Sequence, residues 1–405
     1  MEFQTLFNAD CLDSCSVHRG RRDHHGDLTL LACGGYELVK QPEDSSPGRR
    51  MGGIHLLYVN AHHRSDGCRL CALPFVDLSC GVLDVLCVLS SEGSVTLVAA
   101  GADAAVHIIR ATLEWGDEEG LSVSSAVTLS SIPPGGPLPP PRPFTLASPT
   151  ARPELTAEST CGAPGGDGPI CTSVALLDDS PCVFGYCVSD GTACLVQSED
   201  LTQPRRVATW CAHDLETWTI ALQPTPAAPD QLHGACRLIA TGADDCVMKI
   251  WDARVGFDAP VAHNRREHPM GVTAIAFHDT DEHTLLSGCY DEHVRVWDLR
   301  SIGSPTSSFK SSGGVWRIKW DSTLRRSSPG QGPSVDRLMV AACHGGCQIW
   351  QTQPTATGEY ELLHEYTGHG SMAYGIASVP SAAPGAHYYA SCSFYDRKLA
   401  LWRVG

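Results

Sequence analysis

Positive charge is in short supply in this chain of 405 residues: 29 Lys and Arg face 45 Asp and Glu, a formal net charge of −16. That balance excludes phosphate-backbone binding as the main activity, so no nucleic-acid partner is expected. Long apolar runs are also missing. The longest, VLDVLCVL followed by SVTLVAAGA, is interrupted at residues 90–93 and is too short to span a bilayer, so no membrane partner is expected. No apolar h-region follows the polar start MEFQTLFNAD, which leads to the expectation of a cytoplasmic protein with reduced thiols. The common enzyme signatures are absent as well. There is no G-x-S-x-G elbow, no H-E-x-x-H, no Walker A loop and no G-x-G-x-x-G after a strand.

What is present is globular in composition, with 42% hydrophobic and 18% charged residues. The 19 cysteines, in a chain expected to be reducing, read as small buried hydrophobes. CRLC (68–71) is a single C-x-x-C with neither a second pair nor neighbouring histidines. The ligands of CHGGC (343–347) would be dispersed by strand alternation. No metal site and no cofactor are therefore expected.

The organising feature is a repeat. LIATGADDCVMKIWD, LLSGCYDEHVRVWD, LMVAACHGGCQIW and YYASCSFYDRKLALW each read as an apolar strand, a short polar turn and an alternating strand closing on Trp. The closing residues Trp251, Trp297, Trp350 and Trp402 lie 46, 53 and 52 residues apart, the period of WD40-type propeller blades with lengthened loops. The frame continues upstream without the aromatic in LVAAGADAAVHII and FGYCVSDGTACLV, and LTLLACGGYELV with GGIHLLYVN supplies a first, degenerate pair. GVTAIAFH, GGVWRIKW, AYGIASV, WTIAL and ICTSVALL read as innermost strands. The expectation is an all-β chain forming one closed seven-bladed WD40-type β-propeller over residues 1–405. EFQTLFN would complete the last blade, and a Pro/Gly/Ser-rich flexible insert would occupy residues 130–169.

An Asp stands six residues before the closing position at Asp103, Asp190, Asp245, Asp291 and Asp396. A short carboxylate in a tight turn accepts nearby backbone N–H groups, so these five are structural turn residues. Glu292 and His293 are not required by such a turn, and His344 occupies the frame position that holds Asp elsewhere. A histidine there is either a satisfied surface residue of a degenerate blade or a titratable base on the ring of turns.

The succession SGCYDEHVRVWD, GGVWRIKW, AACHGGCQIW, AYGIASV and CSFYD resembles the diphthine methylesterase family, WD-repeat proteins of diphthamide biosynthesis. The resemblance is tight over residues 212–405, loose over 28–110 and absent from the Pro-rich insert. Cys289 departs from the family's usual Ser, and CHGGC is shorter than is typical there. The resemblance implies a hydrolase that removes the methyl ester from diphthine methyl ester on translation elongation factor 2, its protein substrate; a monomer is expected. The alternative is a non-catalytic WD-repeat adaptor or substrate receptor.

The family pattern assigns no nucleophile, so the parts follow from the chemistry. Ester hydrolysis needs an activated water and donors for the oxyanion. Glu292, His293 and His344 are the acid–base candidates, with the two histidines ranked first, and Arg317 is a candidate electrophile. Tyr374 and Tyr395 are candidate oxyanion donors. Trp316 and Trp218 are candidates for an aromatic wall around a trimethylammonium group.

Overall fold

The computed structural model describes residues 1–17, 28–39, 48–60, 68–78, 80–90, 93–115, 121–133, 135, 145–147, 168–177, 180–198, 201, 203–224, 236–321, 323, 336–352, 359–380 and 386–404. Every regular element longer than a single turn among them is a β-strand, and the strands form seven antiparallel sheets. These are the seven blades of a WD40-type β-propeller. By packing they fall into two compact units, residues 1–171 with 377–405 and residues 172–376.

In the first unit, blade 1 takes its innermost strand from Asn8–Val17, a segment the repeat frame leaves unassigned. Next come Leu28–Val39 and Arg49–Asn60, the degenerate pair expected from the sequence. Residues Thr145–Ala147, inside the Pro/Gly/Ser-rich stretch, add a strand by pairing with Phe75–Asp77. Blade 2 runs from Val82–Ser90 through Ser94–Gly101 and Val106–Trp115 to Leu121–Ile132, so it reaches into the start of the 130–169 segment. Most of that segment lies outside the described residues. Blade 7 contains His387–Ser393 and Lys398–Val404, and Glu2–Gln4 pairs with Lys398–Ala400, as the opening residues predict. The core of this unit is aliphatic, centred on Leu30, Ile54, Val85, Leu97 and Ile109, all fully buried.

The second unit holds the blades of residues 172–211, 217–264, 272–310 and 317–366, numbered 3 to 6. Their innermost strands are Cys171–Leu177, Thr217–Pro224, Val272–Phe277 and Arg317–Trp320, and Ala373–Val379 opens blade 7. All five coincide with the short alternating segments read from the sequence. In blades 4 to 6 the cores are built on the closing aromatics: Trp297 is fully buried, and Trp251 lies beside Trp210 of the outer strand of blade 3, which stacks on Phe257 at 4.1 Å. An aromatic of this size fills the wedge between neighbouring blades and still needs a partner for its N–H. Trp251 donates to Thr241 Oγ1 (3.0 Å) and Trp297 to Ser287 Oγ (2.8 Å).

The five predicted turn carboxylates are explained by what they bind. Asp103, Asp190, Asp245 and Asp291 accept the backbone N–H two residues on, at 3.3, 2.9, 3.0 and 3.1 Å. Asp396 is bonded by the Ser393 hydroxyl. The residue after each turn Asp has positive φ: Ala104, Gly191, Cys246, Glu292 and Arg397. The carboxylate thus offsets a strained step that four of these non-glycine residues make. The described cysteines are all free thiols, and most are buried.

Candidate functional site

Antiparallel pairing puts the start of each innermost strand at the same sheet edge as the turn between the second and third strands. In blade 6, Arg317 pairs with Ala341, and the Trp316 N–H donates to the Ala341 carbonyl (2.8 Å), next to the turn at residues 342–346. Threonines sew this edge from blade to blade. Thr172 Oγ1 donates to the Thr217 carbonyl (2.5 Å), and Thr273 Oγ1 donates to that of Val315.

Three aromatic side chains from three different inner strands meet on this edge. The Trp316 ring lies 5.5 Å from Trp218 at 53° and 4.8 Å from Tyr374 at 34°. The Arg317 guanidinium sits 5.7 Å from the Trp316 ring centre. It donates to the Trp316 and Thr172 carbonyls at 3.3 and 3.5 Å. The two tryptophans expected to form an aromatic wall are therefore together, with Tyr374 and Arg317 as neighbours. Two buried donors here, Trp316 Nε1 and Thr217 Oγ1, have no hydrogen-bond partner among the described residues. Leaving such a donor unpaired costs about 1–3 kcal/mol, which a bound acceptor would recover.

Sequence reasoning missed Asp244, the first Asp of GADDC. Its carboxylate accepts a hydrogen bond from the Trp218 side chain. Burial, with Glu216 and Asp245 nearby, raises its pKa, while the Trp218 bond works against that rise. The signal available was the doubled Asp: the second is needed by the turn and the first is not. A carboxylate fixed to the edge of an indole gives the cluster an acidic side, which favours a cation on the ring faces.

The acid–base candidates separate. Glu292, held at φ 73° in the blade 5 turn, has one carboxylate oxygen 3.8 Å from His344 Nε2 and the other 3.2 Å from Lys310 Nζ. His344 does take the turn position of the Asp residues. Its five-residue loop closes with the pair Ala341–Cys347, as Gly242–Met248 closes the loop around Asp245. The turn is built differently, with positive φ at Cys343 and Gly346, so the imidazole is released from turn duty and is 58% exposed. The Cys343 carbonyl takes the N–H of Ala373 (2.9 Å), which ties this loop to the strand carrying Tyr374. His293 is different: its Nδ1 is 3.0 Å from the carbonyl of Asp291 in its own turn. Tyr395 belongs to the other unit, where it is 71% exposed with its ring edge-on to Phe394. Cys289, where the family has Ser, is buried, and burial pushes its thiol up to about 11, so it is protonated and a poor nucleophile.

A family model described as the WD domain, G-beta repeat matches residues 261–298, the outer strand of blade 4 and the first three strands of blade 5. A diphthine methyltransferase from Mus musculus is 28% identical over 386 residues, covering 92% of this chain and 67% of that protein. A Dictyostelium discoideum homolog of that name is 31% identical over 230 residues, 53% of this chain and 57% of that one. The Homo sapiens protein is 32% identical over 179 residues, 43% and 35% of the two chains. The chain is a WD-repeat β-propeller similar to the diphthine methyltransferases. It spans about a third to two thirds of the length of these relatives. A solved chain described as part of a mitotic checkpoint complex superposes on this propeller with a TM-score of 0.56 at 14% identity. That match covers 100% of this chain and 91% of the other, and it concerns the fold alone.

Proposed function

We propose that this WD-repeat propeller acts in diphthamide biosynthesis as a diphthine methyl ester hydrolase, with translation elongation factor 2 as its protein substrate in the cytoplasm. The observation that carries the reading is the Trp218–Trp316–Tyr374 cluster with Asp244 on one side, at the sheet edge that also presents Glu292 and His344. Diphthine carries a trimethylammonium group, and aromatic faces beside a carboxylate are the chemistry that holds such a cation.

In this mechanism His344 takes a proton from water, and Glu292 orients the imidazole and stabilises its cationic form. The water oxygen bonds to the ester carbonyl carbon, and the developing oxyanion is met by Arg317 or by the Tyr374 hydroxyl. The C–OCH3 bond then breaks, and the proton on His344 goes to the departing methoxide. The products are methanol and a carboxylate. His293, tied to its own turn, has no part in this scheme.

The names of the relatives also admit a methyl transfer reading, and the fold admits an adaptor. One experiment separates the three. Purified full-length protein is incubated with methyl-esterified elongation factor 2, with and without S-adenosylmethionine, and methanol and substrate mass are followed. Hydrolysis gives methanol and a 14 Da loss without S-adenosylmethionine, on the order of 10²-fold slower in His344→Gln. Trp316→Leu is expected to raise KM more than it lowers kcat. Mass gain only with S-adenosylmethionine means transfer, and binding without turnover means an adaptor; either result overturns the proposal.

A further inference from the structure

A second cluster of chemistry-bearing side chains lies in the first unit, in and beside blade 2. The turn carboxylate of Asp103 is 3.0 and 3.1 Å from His107 Nε2, and the Cys80 sulfur is 3.7 Å from the same nitrogen. One ligand-type atom from each of the three lies within 4.8 Å of the others. The other ring nitrogen, His107 Nδ1, is 3.0 Å from Ser131 Oγ. Cys80 reaches the turn because its loop is pinned there: the Ala102 N–H donates to the Gly81 carbonyl at 2.8 Å. Gly101 leaves the space, since a Cβ at that position would stand 2.3 Å from Asp103 Oδ1 and 2.8 Å from His107 Nε2. The cluster is nearly closed to solvent, with the His107 and Asp103 side chains 9% and 11% exposed.

We infer that Cys80, Asp103 and His107 form a zinc site. A thiolate, an imidazole and a carboxylate suit this borderline-soft cation, and three protein ligands leave a fourth tetrahedral position for water. Ligand atoms around tetrahedral zinc lie on the order of 3.3–3.7 Å apart, given bonds near 2.0–2.3 Å. The Cys80–His107 separation already matches and the Asp103–His107 one is a few tenths of an ångström short. Zinc on Nε2 requires the tautomer in which Nδ1–H donates to the Ser131 hydroxyl; without the metal the same contacts suit Nε2–H donating to Asp103 with Ser131 donating to Nδ1. Zinc uses all three groups, whereas the Asp103–His107 hydrogen bond uses two. Binding releases the Cys80 thiol proton and any proton on Nε2 to solvent. The sequence expectation of no metal set arose because the ligands come from a loop, a turn and a strand, spread over residues 80–107 without a recognisable spacing.

Cobalt tests the assignment, because a cysteine thiolate bound to it gives a near-ultraviolet charge-transfer band. Full-length protein purified with a chelator and titrated with Co2+ is expected to develop that band at one equivalent, and zinc should abolish it. Cys80→Ser should remove the band, and Cys71→Ser, in the C-x-x-C run, should leave it. Ser131→Ala, a positioning change, should weaken zinc binding about 10- to 100-fold while keeping the band at saturation. No band in the wild type, or a band surviving in Cys80→Ser, overturns the site. If the variants fail to fold, zinc-edge X-ray absorption on the wild type decides. One sulfur at about 2.3 Å with nitrogen and oxygen near 2.0–2.1 Å supports the site, and a shell without sulfur overturns it.

Discussion

Blades 2 and 5 share one frame and fill it differently. Each has four antiparallel strands and a turn Asp that accepts the N–H two residues on, followed by a residue of positive φ. Each turn Asp also meets the side chain four residues later, across the start of the third strand. In blade 5 that partner is Arg295, gripped by both oxygens of Asp291, and in blade 2 it is His107. At the closing position blade 5 has Trp297, whose N–H is taken by Ser287 Oγ, itself 2.8 Å from His268 Nε2. Blade 2 has Ile109, which needs no polar partner. The backbone turn therefore asks only for a short acceptor. What stands behind it decides whether the blade is locked by a permanent ion pair and an aromatic wedge, or is held by aliphatic packing around a His–Cys cluster.

The sharpest way to break the comparison is at the wedge. Trp297→Ala removes a fully buried indole, taking one donor from Ser287 Oγ and a ring neighbour from His268, so urea unfolding is expected to show a loss of about 3–5 kcal/mol. If the loss matches that of a surface substitution, the wedge is not what holds blade 5.

Acid comes next. Burial, helped by Arg295 and opposed by Asp291, lowers His268 to about 4, and burial alone lowers His55 of blade 1 to about 4. A histidine held neutral when folded but titrating near 6.5 when unfolded stabilises fully above that range. Between about pH 6.5 and 4 the unfolded chain binds the proton first, so stability falls with pH, on the order of 3 kcal/mol for each residue. His268→Gln should flatten the slope for the second unit, and a slope identical to the wild type would contradict this account.

The ion pair is a smaller effect. Burial would raise the Asp291 pKa, but Arg295, Cys289 and the His293 N–H together hold it below the usual carboxylate value. Its contribution is present above the ordinary aspartate range and is lost only as pH falls through the depressed value. Arg295→Ala is expected to cost about 2 kcal/mol at neutral pH, and that cost should shrink in strong acid. A cost that does not change with pH would mean that Arg295 acts through packing alone. Smallest is Ile109→Val in blade 2, about 1 kcal/mol, because one methyl group is lost from an aliphatic core with no polar partner left behind. A loss as large as that of Trp297→Ala would erase the distinction between the two blades.

Much of this architecture was legible in the amino-acid order because it depends on local rules. Strand alternation, a turn Asp at a constant offset and an aromatic at the strand end concern residues a few positions apart. The seven blades, the pairing of Glu2–Gln4 with the last strand and the structural role of the turn carboxylates all follow from them. Trp218, Trp316, Arg317 and Tyr374 could be nominated one at a time, from the family-like segments that contain them and the chemistry that ester hydrolysis and a quaternary nitrogen require. What only the tertiary structure decided are the meetings between segments. The Trp218–Trp316–Tyr374 contact joins three inner strands, and the acidic neighbour Asp244 looks like a second turn residue until its tie to Trp218 is seen. His344 reaches Glu292 from another blade while His293, one residue from Glu292, turns back on its own loop. Cys80, Asp103 and His107 converge because one loop is pinned against one turn. Local periodicity determines which edge of a sheet a residue occupies; which side chains from other blades it meets there depends on how the sheets pack, and no periodicity encodes that.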